Sequence, residues 1–289
     1  LEATYPIRSD ETKGEGEFGS KTIEYDIIHV CRKRSADPQP ISWARLRRQI
    51  MDDVRGLKAL LSQHQAAGLP AADIKVIKRG KALEYFSRHY GKVYLEQGRE
   101  FTIREALVGI NLLIDDDTGT SGGVEAPPAN AEPYTRQFFR LFYETCAVPR
   151  DQMQKFLRGT GIAPSDFIDR GWCAEAGKLF ELSSPVELAR AWKGTSRKGM
   201  ARDFDQTMFL VGACFEGSDI RVMDTLDSPH FAPHPATAEI VDWLARHGGS
   251  QDIKHAARRA RTIYRSWLAK NKTKVEEQLK LFDLGPNSA

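Results

Sequence analysis

Residues 22–31, Thr-Ile-Glu-Tyr-Asp-Ile-Ile-His-Val-Cys, are the strongest strand signal in a chain otherwise patterned for helices. β-branched and aromatic residues crowd this run. Its second half, Ile27 to Cys31, is almost continuously apolar, which predicts a strand covered on both faces. A second short strand is expected over residues 3–8, with a Gly-rich polar loop between them. Two strands are marginal in water, and almost everything after residue 40 reads as helix. The chain also opens directly on Leu1-Glu2-Ala3-Thr4-Tyr5, without Met. The expectation is that residues 1–34 are the edge of a sheet whose other strands precede them.

The helices follow from apolar spacing and caps. Trp43, Leu46, Ile50, Val54, Leu57 and Leu61 recur every three or four residues behind Ser42, a good N-cap. Lys78 to His89 is a second helical stretch. Thr102-Ile103-Arg104-Glu105 is a capping box, and the helix it opens carries Leu107, Ile110 and Ile114. These fill a helical region over 35–117. Residues 118–131 are small and rich in Pro and Gly, and read as a linker. Further helices are expected over 203–216, 219–226, 236–247 and 251–278 in a C-terminal helical region, 184–289.

Residues 132–183 have the order of a winged helix: helices at 132–146, 150–158 and 164–170, then a hairpin from Trp172 to Leu182. The third helix, Pro164 to Arg170, offers two acids and one Arg. Base readout favours Arg, Lys, Asn or Gln, so protein packing is the better use of it.

Composition narrows the class. The 289 residues carry 42 Lys and Arg against 39 Asp and Glu, 41% hydrophobic residues and four separated cysteines. That is an ordinary globular composition, and no close cysteine pairs mark a zinc site or a disulfide scaffold. Reduced thiols and a cytoplasmic location are expected. No apolar run approaches the ~20 residues of a membrane span, and Leu1 to Asp10 lacks the pattern of a signal peptide. No phosphate-binding Gly loop, nucleophile elbow or metal box is present. Asp227, His230 and His234 are the nearest thing to a metal set, but Pro229, Pro233 and Pro235 place them in an exposed loop.

Charge is concentrated near the C-terminus. From Gln251 to Lys274 there are eight cations and one acid, a net of +7. Ile253, Ala256, Ala257, Ala260, Tyr264, Trp267 and Leu268 fall on one helix face, and Lys254, Arg258, Arg261 and Arg265 on the opposite one. Such a stripe suits phosphates; it also suits plain solvent or acids elsewhere in the fold. Arg197 and Lys198, in a Gly-flanked loop, form a second basic cluster. The tail Gln278-Leu279-Lys280-Leu281-Phe282 resembles the peptide by which bacterial DNA enzymes dock on the replication sliding clamp. Gln278, Leu279, Leu281 and Phe282 would be its anchors.

Tyr5-Pro6-Ile7-Arg8-Ser9-Asp10-Glu11, together with Tyr25 to Arg34, resembles the end of the catalytic domain in a family of adenine-specific DNA methylases, some of them associated with phage defence. Glu84 to Val93 and Asp205 to Gly217 resemble segments that follow that domain. The resemblance implies that the hairpin is the last pair of strands of a class I, S-adenosylmethionine-dependent methyltransferase sheet. The implied reaction is methyl transfer to adenine N6 of a flipped base. It also implies DNA and an upstream catalytic domain as partners. The family's Gly-rich cofactor motif and its Asp/Asn-Pro-Pro-Tyr motif have no match here, so no catalytic or cofactor-binding residue carries over. The fold expected is mainly α with this N-terminal hairpin. The competing reading is a non-enzymatic helical module that docks partner proteins in a defence complex.

Overall fold

The computed structural model describes residues 3–8, 25–33, 36–66, 71–95, 99–117, 125–157, 160–191, 202–228, 231–272 and 275. It is mainly helical, with three small sheets among the described residues. The chain divides into two compact units, residues 1–95 with 110–120, and residues 96–109 with 121–289.

In the first unit, β1 (Ala3–Arg8) pairs antiparallel with β2 (Tyr25–Val30) over six positions, from Ala3 opposite Val30 to Arg8 opposite Tyr25. The hairpin expected from the sequence is present. Two-sided burial of its second strand is not found among the described residues: Ile28 is 47% exposed and Cys31 is exposed. A parallel pair, β3 (Ile41–Ser42) with β4 (Val93–Tyr94), is only two residues long, below what periodicity can reveal.

Helix α1 (Trp43–Gly56) starts where Ser42 Oγ accepts the Arg45 N–H at 3.3 Å. Its buried face is Trp43, Leu46, Ile50 and Val54, as the spacing predicts. The helix ends at Leu57, and a new one, α2 (Lys58–Ala66), carries Leu61 inward. The third helix, α3 (Ala71–Arg88), is longer than its pattern indicates. Helix α4 (Ile103–Asp117) has the full reciprocal cap: Thr102 Oγ1 accepts from Glu105 N, and Glu105 Oε2 accepts from Thr102 N. Ile110 and Ile114 are buried, but Leu107 is 40% exposed.

In the second unit, α5 (Pro133–Leu141) leads to β5 (Ala147–Pro149), α6 (Arg150–Leu157), α7 (Pro164–Ile168), β6 (Cys173–Ala176) and β7 (Leu179–Leu182). The first helix stops at Leu141 rather than 146, and a three-residue strand that the sequence does not announce follows it. The three strands form an antiparallel sheet in the order β5-β7-β6. Phe138 organises this part. Its ring centroid lies 4.5 to 5.4 Å from those of Phe142, Phe167, Phe204 and Trp172. Each such pair contributes roughly 0.5–1.5 kcal/mol beyond area burial. In α7, Phe167 is fully buried, Asp166 caps Ala163 N and pairs with Arg104, and Arg170 lies over Tyr134. These contacts are protein packing.

The remaining helices are α8 (Pro185–Ala191), α9 (Asp203–Phe215), α10 (Asp219–Leu226), α11 (Thr237–His247) and α12 (Gln251–Lys270). Helix α9 is buried on nearly every side and packs against α8, α10, α11 and α12. Gly212 lets α8 approach it: a Cβ there would lie 1.9 Å from the Pro185 carbonyl oxygen. Ser250 Oγ caps α12 by accepting Ile253 N–H at 3.2 Å. Residues 125–131, expected to be part of a free linker, are docked: Trp243 Nε1 donates to Glu125 O, and Asn130 donates to Glu239. No helix among the described residues is long and apolar enough to cross a membrane.

Candidate functional site

The basic helix exists, and its faces divide as the sequence indicates. Ile253, Ala256, Ala257, Ala260, Tyr264 and Trp267 are buried, while Leu268 lies half-buried at the edge. The cations on the other side have different surroundings. Lys254 is largely covered, with Nζ 3.5 Å from Glu144 Oε1. Arg261 and Arg265 share the carboxylate of Asp242 on α11. Arg259 is held by Asp219 at 2.7 Å. Arg258 is exposed, and among the described residues no carboxylate lies within ion-pair distance of it. Among the described residues the stripe is therefore Arg258, with no acid in reach, flanked by Arg261 and Arg265, which share a partner at the surface. Exposed pairs of this kind are worth only about 0–1 kcal/mol and exchange readily with other anions. Arg197, Lys198, Gln278, Leu279, Leu281 and Phe282 lie outside the described residues.

A second cluster has no signature in the sequence. Where α5 and α9 begin, Glu132, Asp203, Gln206 and His234 are all buried. Asp203 accepts the Glu132 N–H and the Thr135 hydroxyl, each at 2.6 Å, and the Phe204 N–H at 2.7 Å. Glu132 meets Arg99 at 2.5 Å, and Arg99 reaches Glu105 at 2.8 Å. Gln206 Oε1 accepts from His234 N and from Thr237 Oγ1, both at 2.9 Å. The Ala236 N–H donates to His234 Nδ1, which assigns the proton of a neutral ring to Nε2. That nitrogen lies 3.8 Å from Glu132 Oε1. The expectation that His234 sits in an exposed loop is thus corrected: it is 2% exposed, because Gln206 pulls its backbone inward. Asp227 is likewise engaged, as the acceptor for Trp267 Nε1 at 2.8 Å. His230 lies outside the described residues.

Electrostatics pull this cluster two ways. Burial and the Asp203 carboxylate push the Glu132 carboxyl up to about 8, against the opposing charge of Arg99. Burial, with Asp203 adding to it, also raises Asp205, to about 7. For Glu105, burial acts upward, but the Arg99 charge and the Thr102 donors outweigh it and hold the carboxyl below its usual range. Glu132 is 4% exposed and His234 2%, so the described cluster is an internal one. It joins α4, α5, α9 and α11.

The sheet of a class I site for S-adenosylmethionine is not found among the described residues. In an open α/β sheet the ligand sits in a crevice at the C-terminal ends of parallel strands, and the parallel pair among the described residues is two residues long. Nor do three His, Cys, Asp or Glu side chains among the described residues group to hold a metal. Comparison with protein-family models, curated proteins and solved structures finds no match to this chain.

Proposed function

We propose that this chain is the DNA-holding, C-terminal part of a DNA adenine-N6 methyltransferase. In this reading α12 lies along the phosphate backbone, with Arg258 as the first contact and Arg261 and Arg265 recruited by exchange from Asp242. The observation that carries it is the exposure of Arg258 on a helix with six basic residues and one acid between Gln251 and Lys270. The sequence resemblance over the hairpin and over Glu84 to Val93 supports the methyltransferase context. Methyl transfer itself, with S-adenosylmethionine, is assigned to a catalytic domain that works with this chain, and the chain's own part is to hold DNA. The helix–strand–helix–helix–hairpin order of 133–182, with its β5-β7-β6 sheet, supports a winged-helix-like unit used for packing. Lys254 is mostly covered and is expected to contribute less than the three arginines. Arg197 and Lys198 are proposed as further phosphate contacts, and the 278–282 segment as a clamp-docking tail.

The test is duplex DNA binding across a salt series. Replacing Arg258, Arg261 and Arg265 together by Ala should weaken binding and reduce the salt slope by about 2–3, since each phosphate contact contributes roughly 0.9. An unchanged affinity and slope would sink the assignment.

The second reading, a helical module that docks partner proteins, draws on exposed apolar side chains: Ile103, Leu107, Phe156 and Ile220 are 37–77% exposed. Failure of the protein to bind DNA at low salt would favour it.

A further inference from the structure

Helix α9 is buried along most of its length, but its last residue is not: Phe215 is 45% exposed. Beside it the first turns of α12 and the end of α9 enclose an open cleft of about 470 Å³, lined by Cys214, Phe215, Asp252, His255, Ala256 and Arg259. That volume falls within the roughly 300–1,000 Å³ of small-ligand sites. Three features of the lining restrict what it can hold. Phe215 is an aromatic face open to solvent. Arg259 stands 48% exposed, its guanidinium fixed by Asp219. His255 is exposed one turn before Arg259, and Arg258, next to Arg259 in the chain, is exposed outside the lining.

A solvated ring beside cations is the pairing used to hold single-stranded nucleic acid. Bases stack on the ring, whatever their identity, while cations follow the backbone. We propose that this cleft takes one unstacked nucleotide of a single strand, with the base against Phe215 and its phosphate toward Arg258 and Arg259. Asp252 and His255 then face the base edge, where a carboxylate can accept from an exocyclic amino group. A duplex cannot use this cleft, because its bases are already stacked on one another. The charge of α12, six basic residues and one acid, selects the occupant. An apolar peptide would gain nothing from that, whereas a phosphate backbone would.

The inference rests on the reading of α12 as a phosphate-binding helix for its phosphate contact only, and the two can be separated. Fluorescence anisotropy with a labelled oligodeoxycytidylate and with a labelled duplex, each across a salt series, reads both. Phe215→Ala should weaken single-strand binding by about 5- to 150-fold, the range of one aromatic stack. It should leave the salt slope and the duplex affinity unchanged. Phe215→Trp should restore or exceed the original single-strand affinity. Arg258→Ala should weaken both ligands and lower both slopes by about 1. Thermal melts of the Phe215 variants, matching the parent, exclude misfolding as the cause. If Phe215→Ala binds the single strand as the parent does while Arg258→Ala loses affinity, the cleft proposal is overturned and the α12 reading stands. If the parent binds neither ligand at low salt, both fall. If Phe215→Ala weakens both ligands equally, the ring supports the helix rather than a base, and the cleft proposal is again overturned.

Discussion

The molecule uses charge in two opposite ways, and the contrast lies within one of its units. At the start of α5 and α9, Arg99, Glu105, Glu132 and Asp203 are drawn inside and meet one another at 2.5 to 2.8 Å or through backbone donors. Along α12 the cations stay at the surface, and their acids are single carboxylates on neighbouring helices. The buried group is costly to desolvate and is held by the Arg99 charge and by the donors that Glu105 and Asp203 accept. The surface group contributes little to folding and is available for exchange. Inside, then, a missing partner should appear as lost stability; outside, it should appear in binding.

The largest expected effect tests the inner group. Arg99→Met removes the cation shared by Glu105 and Glu132 and leaves two buried carboxyls without their shared partner. Breaking a buried pair this way costs about 3–5 kcal/mol. Arg258→Ala, at the surface, should cost less than about 0.5 kcal/mol. Urea unfolding of both variants measures this as a shift in midpoint at constant slope. Equal midpoints would erase the contrast.

Acid titration should separate the two regions next. Glu132 has a folded pKa of about 8, above its ordinary value. A carboxyl that holds its proton more tightly when folded contributes stability that is complete below its unfolded pKa and is lost as pH rises through the folded one. Stability should therefore fall between about pH 5 and 8, by up to about 1.4 kcal/mol per pH unit for this group. Asp205, raised to about 7, adds in the same direction and window. Glu132→Gln keeps the shape and should flatten the slope. A Glu132→Gln protein with the parent's pH profile would show that the inner group carries its charge as surface acids do.

The same contrast explains what can be read from the sequence. The α12 faces are legible because period 3.6 sorts Ala256, Ala260, Tyr264 and Trp267 from Arg258 and Arg265 without any knowledge of the fold. Caps at Ser42 and Thr102 are legible because both partners lie within one turn. Asp203 is not, since its partners, Glu132 and Thr135, lie 71 and 68 residues away. His234 misleads because three nearby prolines indicate a loop, and most loops are solvated. Gln206, 28 residues earlier, decides otherwise. The identities of the acids that pair with Arg259 and Arg265 belong to tertiary structure too, so a stripe that is uniform in sequence divides, among the described residues, into Arg258 with no acid in reach and Lys254, Arg261 and Arg265 with one.

That last distinction yields the smallest and most discriminating test. Asp242 is the carboxylate shared by Arg261 and Arg265, and its side chain is 22% exposed. Asp242→Asn keeps the volume and removes the charge. The pairs are at the surface, so stability should change by less than about 1 kcal/mol. With their acid gone, both arginines can turn to an external phosphate, and each one recruited steepens the salt dependence of duplex binding by roughly 0.9. Tighter DNA binding at low salt, with the gain fading as salt rises, is the expected outcome. The gain should also vanish in an Asp242→Asn protein that carries Arg261→Ala and Arg265→Ala, because no cation is left to be released. If Asp242→Asn binds DNA with the parent's affinity and slope, Arg261 and Arg265 are struts between α11 and α12. The DNA-facing part of the helix would then reduce to Arg258 and its immediate neighbours.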